Sequence, residues 1–128
     1  MKHKILLADD DEGFLGVCRT FLERANFDVT VAHDGEEALA LLEKEKPHAL
    51  VLDIMMPKKD GLAVTKEVRQ TPWGEHIPIF ILTAKDPDDA LLKEINEWSP
   101  TYYFVKGNDR FEDIISKIQE TLTEQENS

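Results

Sequence analysis

Short apolar runs alternate five times with segments of helical period, and that alternation restricts the chain to one kind of architecture. The strand-like runs fall at 4–8, 28–32, 49–53, 78–82 and 101–105, and the helix-period segments at 11–25, 35–46, 60–71, 87–98 and 108–124. Runs such as "ALVL" and "IPIFIL" have no polar face, as expected of strands covered on both sides. Strands and helices in regular alternation connect by right-handed crossovers into a parallel sheet between two helical layers. With 128 residues, the chain suits one such domain with a single core. We set it at 1–124, with a frayed polar tail over 125–128 inside "TEQENS".

Helix-start chemistry supports this division. Asp34 is placed to cap a helix with Glu37 three residues on, and Ala38, Leu41 and Leu42 form its apolar face. Asp86 with Pro87 reads as a cap followed by proline at the first helical position, and Asp60-Gly61 as a turn in which Asp60 caps the next helix. Pro100 must end the fourth helix. Phe111, Ile114, Ile115, Ile118 and Leu122 lie on one stripe of the last. Cys18, the single cysteine, reads as a small core residue and permits no internal disulfide, which fits a reducing compartment such as the cytoplasm. The apolar runs are too short to span a bilayer, and no signal-peptide pattern follows Met1. Fifteen basic against 26 acidic residues, a net charge of −11, speak against direct binding to nucleic acid or to an anionic membrane.

The acids have a more specific pattern than a solvated surface requires. In an open α/β sheet, ligands bind beyond the carboxyl ends of the strands. Asp9, Asp10 and Asp11 follow the first strand, Asp53 ends the third, Thr83 follows the fourth and Lys106 the fifth. Taken singly, Asp10 or Asp11 would be a helix cap, Thr83 a loop hydroxyl and Lys106 a surface charge. Each, however, falls at the end of a sheet strand. Neighbouring carboxylates repel unless a cation joins them, and Mg2+ takes a few carboxylates while keeping several waters. Together with a hydroxyl and an ammonium, such a site suits phosphoryl transfer to an aspartate. His3, His33, His48 and His76 show no ligand spacing and read as surface or capping residues.

In order and spacing, "ILLADDDE", "LVLDIMMPKKDG", "ILTAK" and "YYFVKG" resemble the receiver domain of two-component response regulators, from about residue 4 to about residue 122. The resemblance implies a flavodoxin-like (βα)5 three-layer sandwich with sheet order 2-1-3-4-5. It implies that Asp53 is the phosphoacceptor and that Mg2+ is held by Asp10, Asp53 and the Met55 backbone carbonyl, with Asp9 acting through water. Thr83 matches the switch hydroxyl, Lys106 the lysine that pairs with the acceptor, and Tyr103 the aromatic switch residue. The implied partners are a histidine kinase or phosphotransfer protein and an unknown downstream protein or output domain. Phosphorylation-dependent dimerisation is an open option. The chain would be a switch rather than an enzyme, catalysing only its own phosphorylation and slow dephosphorylation.

Three places depart from the family pattern or modulate it. Gly107 stands where the family has proline after a cis bond. Because a cis bond before a non-proline residue costs about 3–4 kcal/mol, either a trans bond with a reshaped loop or a strained bond is expected. This departure is the support for an alternative reading, a degenerate receiver that acts as a phosphorylation-independent interaction module. The resemblance implies that Met55 and Lys85 flank the route an attacking water takes in this family, and an apolar Met55 predicts slow self-hydrolysis. Trp98, Tyr102 and Tyr103 read either as the end of a core stripe or as an output surface. A Mg2+-dependent phosphohydrolase is disfavoured, since Met55 cannot supply the general acid expected two residues after the nucleophile.

Overall fold

The computed structural model describes residues 2–84 and 87–126, excluding the Glu126 side chain. Its elements are β1 (Lys4–Ala8), α1 (Glu12–Arg24), β2 (Asp28–Ala32), α2 (Gly35–Glu45), β3 (Ala49–Asp53), α3 (Gly61–Arg69), β4 (Ile79–Thr83), α4 (Asp89–Glu97), β5 (Tyr102–Val105) and α5 (Phe111–Glu126). The five strands form one parallel sheet in the order β2-β1-β3-β4-β5. The expected three-layer flavodoxin-like arrangement is therefore the observed one.

Strand alternation divides the core in two. Ile5, Leu7, Val51, Phe80, Leu82 and Phe104 face the layer of α1 and α5, where they meet Leu15, Cys18, Ile114 and Ile118. The intervening residues Leu6, Leu50, Leu52, Ile79 and Ile81 face α2, α3 and α4 through Leu42, Val64, Val68 and Ile95. β3 sits centrally and is buried along its whole length. That is why its sequence shows no polar face.

The boundaries move where local hydrogen bonding overrides the apolar pattern. Pro78 accepts a bond from Leu50 N–H at 3.0 Å but has no N–H to give, so β4 runs 79–83 instead of 78–82. The Thr101 hydroxyl accepts the Ile79 N–H at 3.1 Å, and β5 begins one residue later than expected. Asp88 caps α4, its carboxylate accepting from Leu91 N–H at 2.8 Å. Pro87 is thus outside the helix and not at its first position; Asp86 lies outside the described residues. α4 stops at Glu97, Trp98 forms its C-cap, and Ser99 turns with φ 50° ahead of Pro100. At the carboxyl end, Gln125 and Glu126 continue α5 instead of fraying with the tail.

The other caps follow the sequence. Asp34 accepts from Glu37 N–H at 2.8 Å, and Asp60 from Ala63 N–H at 2.8 Å. The returning bond of the α2 capping box reaches His33 N–H at 3.2 Å, one residue before the cap. The Glu37 N–H donated to Asp34 holds the Asp34 carboxyl below its ordinary value.

Candidate phosphoacceptor pocket

The alternation that builds the α1/α5 core also builds the site. Asp9 continues the row of Ile5 and Leu7, Asp53 the row of Val51, and Lys106 that of Phe104. Each polar side chain is therefore the next step of an inward-facing row, placed where the sheet ends. Asp9, Asp10 and Asp53 come together, each offering a carboxylate oxygen within 4.8 Å of the others. Asp9 and Asp53 are buried and Asp10 is exposed at the rim. Asp11 faces away and caps α1, accepting from Phe14 N–H at 3.2 Å and donating its own N–H to Asp9 Oδ1 at 2.9 Å. Of the alternatives for these acids, the cap is Asp11 and the pocket residue is Asp10.

Lys106 Nζ enters the same pocket, 2.5 Å from Asp9 Oδ2 and 3.5 Å from Asp53 Oδ1. Lys106 is thus paired most closely with the buried Asp9 carboxylate. Burial pushes the Asp53 carboxyl up to about 7; the Asp9 charge adds to this and Lys106 opposes it. Burial pulls the Lys106 ammonium down, but its pairing with Asp9 and the charge of Asp53 outweigh that and raise it. Three carboxylates, two buried and one exposed at the rim, form an all-oxygen donor set that fits a hard divalent cation such as Mg2+.

Thr83 ends β4 as a buried residue. It follows Ile79 and Ile81 in the opposite row, facing the layer of α4, where half-buried Tyr103 also packs. Met55 follows Asp53 by two residues with its side chain 70% exposed; Lys85 lies outside the described residues. The peptide bond after Lys106 is trans, as are all others among the described residues, and Gly107 has φ +87°. Of the two expected solutions, the reshaped loop is the one present. Trp98 is half-buried under a cation–π contact with Lys66 at 5.3 Å, whereas Tyr102 is 47% exposed on the open edge. The aromatic group therefore divides between core edge and surface.

Sequence reasoning read Asp60-Gly61 as a turn without the close approach of Gly61 to β3, and did not single out Phe14 or Asp109. A Cβ on Gly61 would lie 2.3 Å from the Asp53 carbonyl oxygen, so α3 can start against β3 only with glycine there. The Asp-Gly pair was a visible signal for that position. Phe14 and Asp109 gave none, because their roles depend on what the fold brings beside them. Two of the histidines have structural contacts: His48 Nδ1 accepts Lys4 N–H at 2.8 Å, and His33 stands between Glu12 and Glu37, whereas His76 is exposed.

Residues 5–119 match the family described as the response regulator receiver domain. The chain is 48% identical over 88 residues to the alkaline phosphatase synthesis transcriptional regulatory protein PhoP of Bacillus subtilis, covering 69% of this chain and 36% of that protein. It is 38% identical over 120 residues to the transcriptional regulatory protein CpxR of Klebsiella pneumoniae, covering 94% of this chain and 49% of the relative. The chain thus spans between a third and a half of the curated relatives it matches. Its fold superposes on the chemotaxis response regulator CheY4 of Vibrio cholerae with a TM-score of 0.85 at 27% identity, covering 94% of this chain and 98% of the other.

Proposed function

Since the chain belongs to the response regulator receiver domain family, we propose that it is a phosphorylation-controlled switch whose acceptor is Asp53. The observation that carries this reading is the convergence of three carboxylates and one ammonium at the end of the central strand. A partner histidine kinase or phosphotransfer protein presents a phosphohistidine. An Asp53 oxygen attacks phosphorus in line with the P–N bond; the new P–O bond forms as the imidazole leaves with the P–N electron pair. Asp10, Asp53 and the Met55 carbonyl would hold Mg2+, with Asp9 through water, and the ion would supply positive charge to the transferring oxygens. Lys106 adds a fixed ammonium on the same side. Burial of Asp53 at the strand end keeps its attacking oxygen in place and limits competing water.

The acyl phosphate then offers new acceptor oxygens to the Thr83 hydroxyl. Thr83 and Tyr103 share the α4 layer, and a cleft of about 430 Å3 lined by Ile95, Pro100, Tyr102 and Tyr103 gives that face room to repack. The switched face of α4, β5 and α5 would engage an output domain, a separate protein or a second copy. Lys106 stays in the pocket despite Gly107, which supports the switch reading over a phosphate-independent module. Among the described residues no helix is long and apolar enough to cross a membrane, and the reading places the domain in the cytoplasm with its kinase's phosphorylated segment.

The test is intact mass after incubation with Mg2+ and acetyl phosphate, beside Asp53→Asn. The expected result is one added phosphoryl group in the wild type and none in the variant. Phosphorylation of both proteins, or of neither even with a phosphorylated kinase as donor, would overturn the assignment.

A further inference from the structure

Lys106 is aimed at Asp53 from a turn without proline, so something else must fix it. β5 is one of the two edge strands of the sheet. Lys106 N–H donates inward to Thr83 O at 2.7 Å, and strand alternation turns the Val105 N–H toward the open edge. There Asp109 Oδ2 accepts it at 2.6 Å. The Asp109 N–H donates back to Val105 O at 2.9 Å, and Asn108 N–H donates to the same oxygen at 3.1 Å. Both backbone groups of Val105 are thereby tied to residues beyond Lys106, closing a clasp around it. The Asp109 carboxylate is not capping α5, since the first helical bonds there go to the Arg110 carbonyl.

The other end of the side chain is held from α1. Lys106 Nζ lies 4.4 Å from the centre of the Phe14 ring, within cation–π range. That ring is in turn 5.5 Å from Phe111, which stacks on Phe21 at 5.0 Å. We propose that Asp109 and Phe14 are positioning residues for Lys106: the first sets its backbone through the clasp, and the second sets its ammonium beside Asp9 and Asp53. The inference rests on the phosphoacceptor reading for its consequence, but its geometry can be tested apart from it.

The variants are Asp109→Ala and Phe14→Leu, with Asp109→Asn and Phe14→Tyr as conservative partners that keep an acceptor oxygen and an aromatic face. Three quantities are measured: the initial rate of phosphorylation by acetyl phosphate at saturating Mg2+, the Mg2+ Kd, and the NMR shift of the Lys106 ε-methylene protons, moved upfield by the Phe14 ring. Asp109→Ala and Phe14→Leu should slow phosphorylation on the order of tenfold, and Asp109→Ala should lose the upfield shift with the ring still present, while the Mg2+ Kd stays within about twofold because neither residue belongs to the pocket's carboxylates. The conservative variants should retain both rate and shift. A wild-type rate in both Asp109→Ala and Phe14→Leu, with Lys106→Ala slowed, or a wild-type Lys106 shift in Asp109→Ala, would overturn the proposal. If the wild type takes up no phosphoryl group, the acceptor reading fails and the Lys106 shift in Asp109→Ala, lost or kept, decides the positioning. Should Asp109→Ala fold poorly, Asp109→Leu, which keeps the bulk without an acceptor oxygen, carries the same test.

Discussion

Cys18 packs against Leu15 and Leu22 with no exposure, and burial pushes its thiol up to about 12, with the Asp9 charge adding to the effect. Only the thiolate reacts with disulfide reagents. Native protein at pH 8 should therefore leave a chromogenic disulfide reagent unreacted for hours, whereas protein in guanidinium should release one equivalent at once; rapid native reaction would contradict the burial. Met55 is the opposite case, a large apolar side chain 70% exposed beside the pocket. It can neither donate to nor accept strongly from a water, so it offers no help to hydrolysis of an Asp53 phosphoryl group. Met55→Asn should shorten the phosphoryl lifetime several-fold relative to wild type, read as loss of the added mass after the donor is removed. Loss within seconds from the wild type itself would sink the expectation.

Elements hold the pocket through contacts with little tolerance. At Gly61, a methyl group would have to displace the Asp53 carbonyl or the start of α3. Gly61→Ala should cost about 2–4 kcal/mol in a denaturant melt and slow phosphorylation in the fraction that folds. Arg69 ties three segments by donating to Gly74 O at 2.9 Å, Ile77 O at 2.7 Å and Ser99 O at 3.1 Å. Burial pulls its guanidinium down, yet the fork has no substitute in lysine. Much of this level was readable beforehand: strand rows, the Asp34 and Asp60 caps, the break before Pro100 and the acids at strand ends all follow from period and side-chain chemistry. The remainder depended on partners distant in sequence. Nothing near Arg69 announces Ser99, nothing in "FVKGNDRF" announces that Asp109 folds back onto Val105, and Asp86-Pro87 carried as good a local start signal as Asp88.

At the scale of the whole molecule, a chain of net charge −11 concentrates two buried carboxylates and a third at the rim where its central strand ends. Repulsion and burial there favour a proton, and the consequence for stability has a definite sign. The folded Asp53 keeps its proton to about pH 7, whereas the ordinary carboxyl value is 3.8. Between these values the folded state binds more protons than the unfolded chain, so Asp53's contribution to stability falls as pH rises through the window. Above pH 7 the ionised pocket is a standing penalty in the absence of a divalent cation. Asp53→Asn removes it, and at pH 8 without metal the variant should be more stable than wild type by about 1–3 kcal/mol, a difference that narrows toward pH 4. A cation bound by the carboxylates would act in the other direction, stabilising the wild type by mass action. Thermal melts at pH 4.5 and pH 8, with EDTA or with Mg2+, separate these effects: Mg2+ should raise the wild-type Tm at pH 8, do little at pH 4.5, and do less for Asp53→Asn at either pH. A variant no more stable than wild type at pH 8 in EDTA would mean that Lys106 already offsets the acidic repulsion, and the pocket would then be organised by its ion pair before any metal arrives.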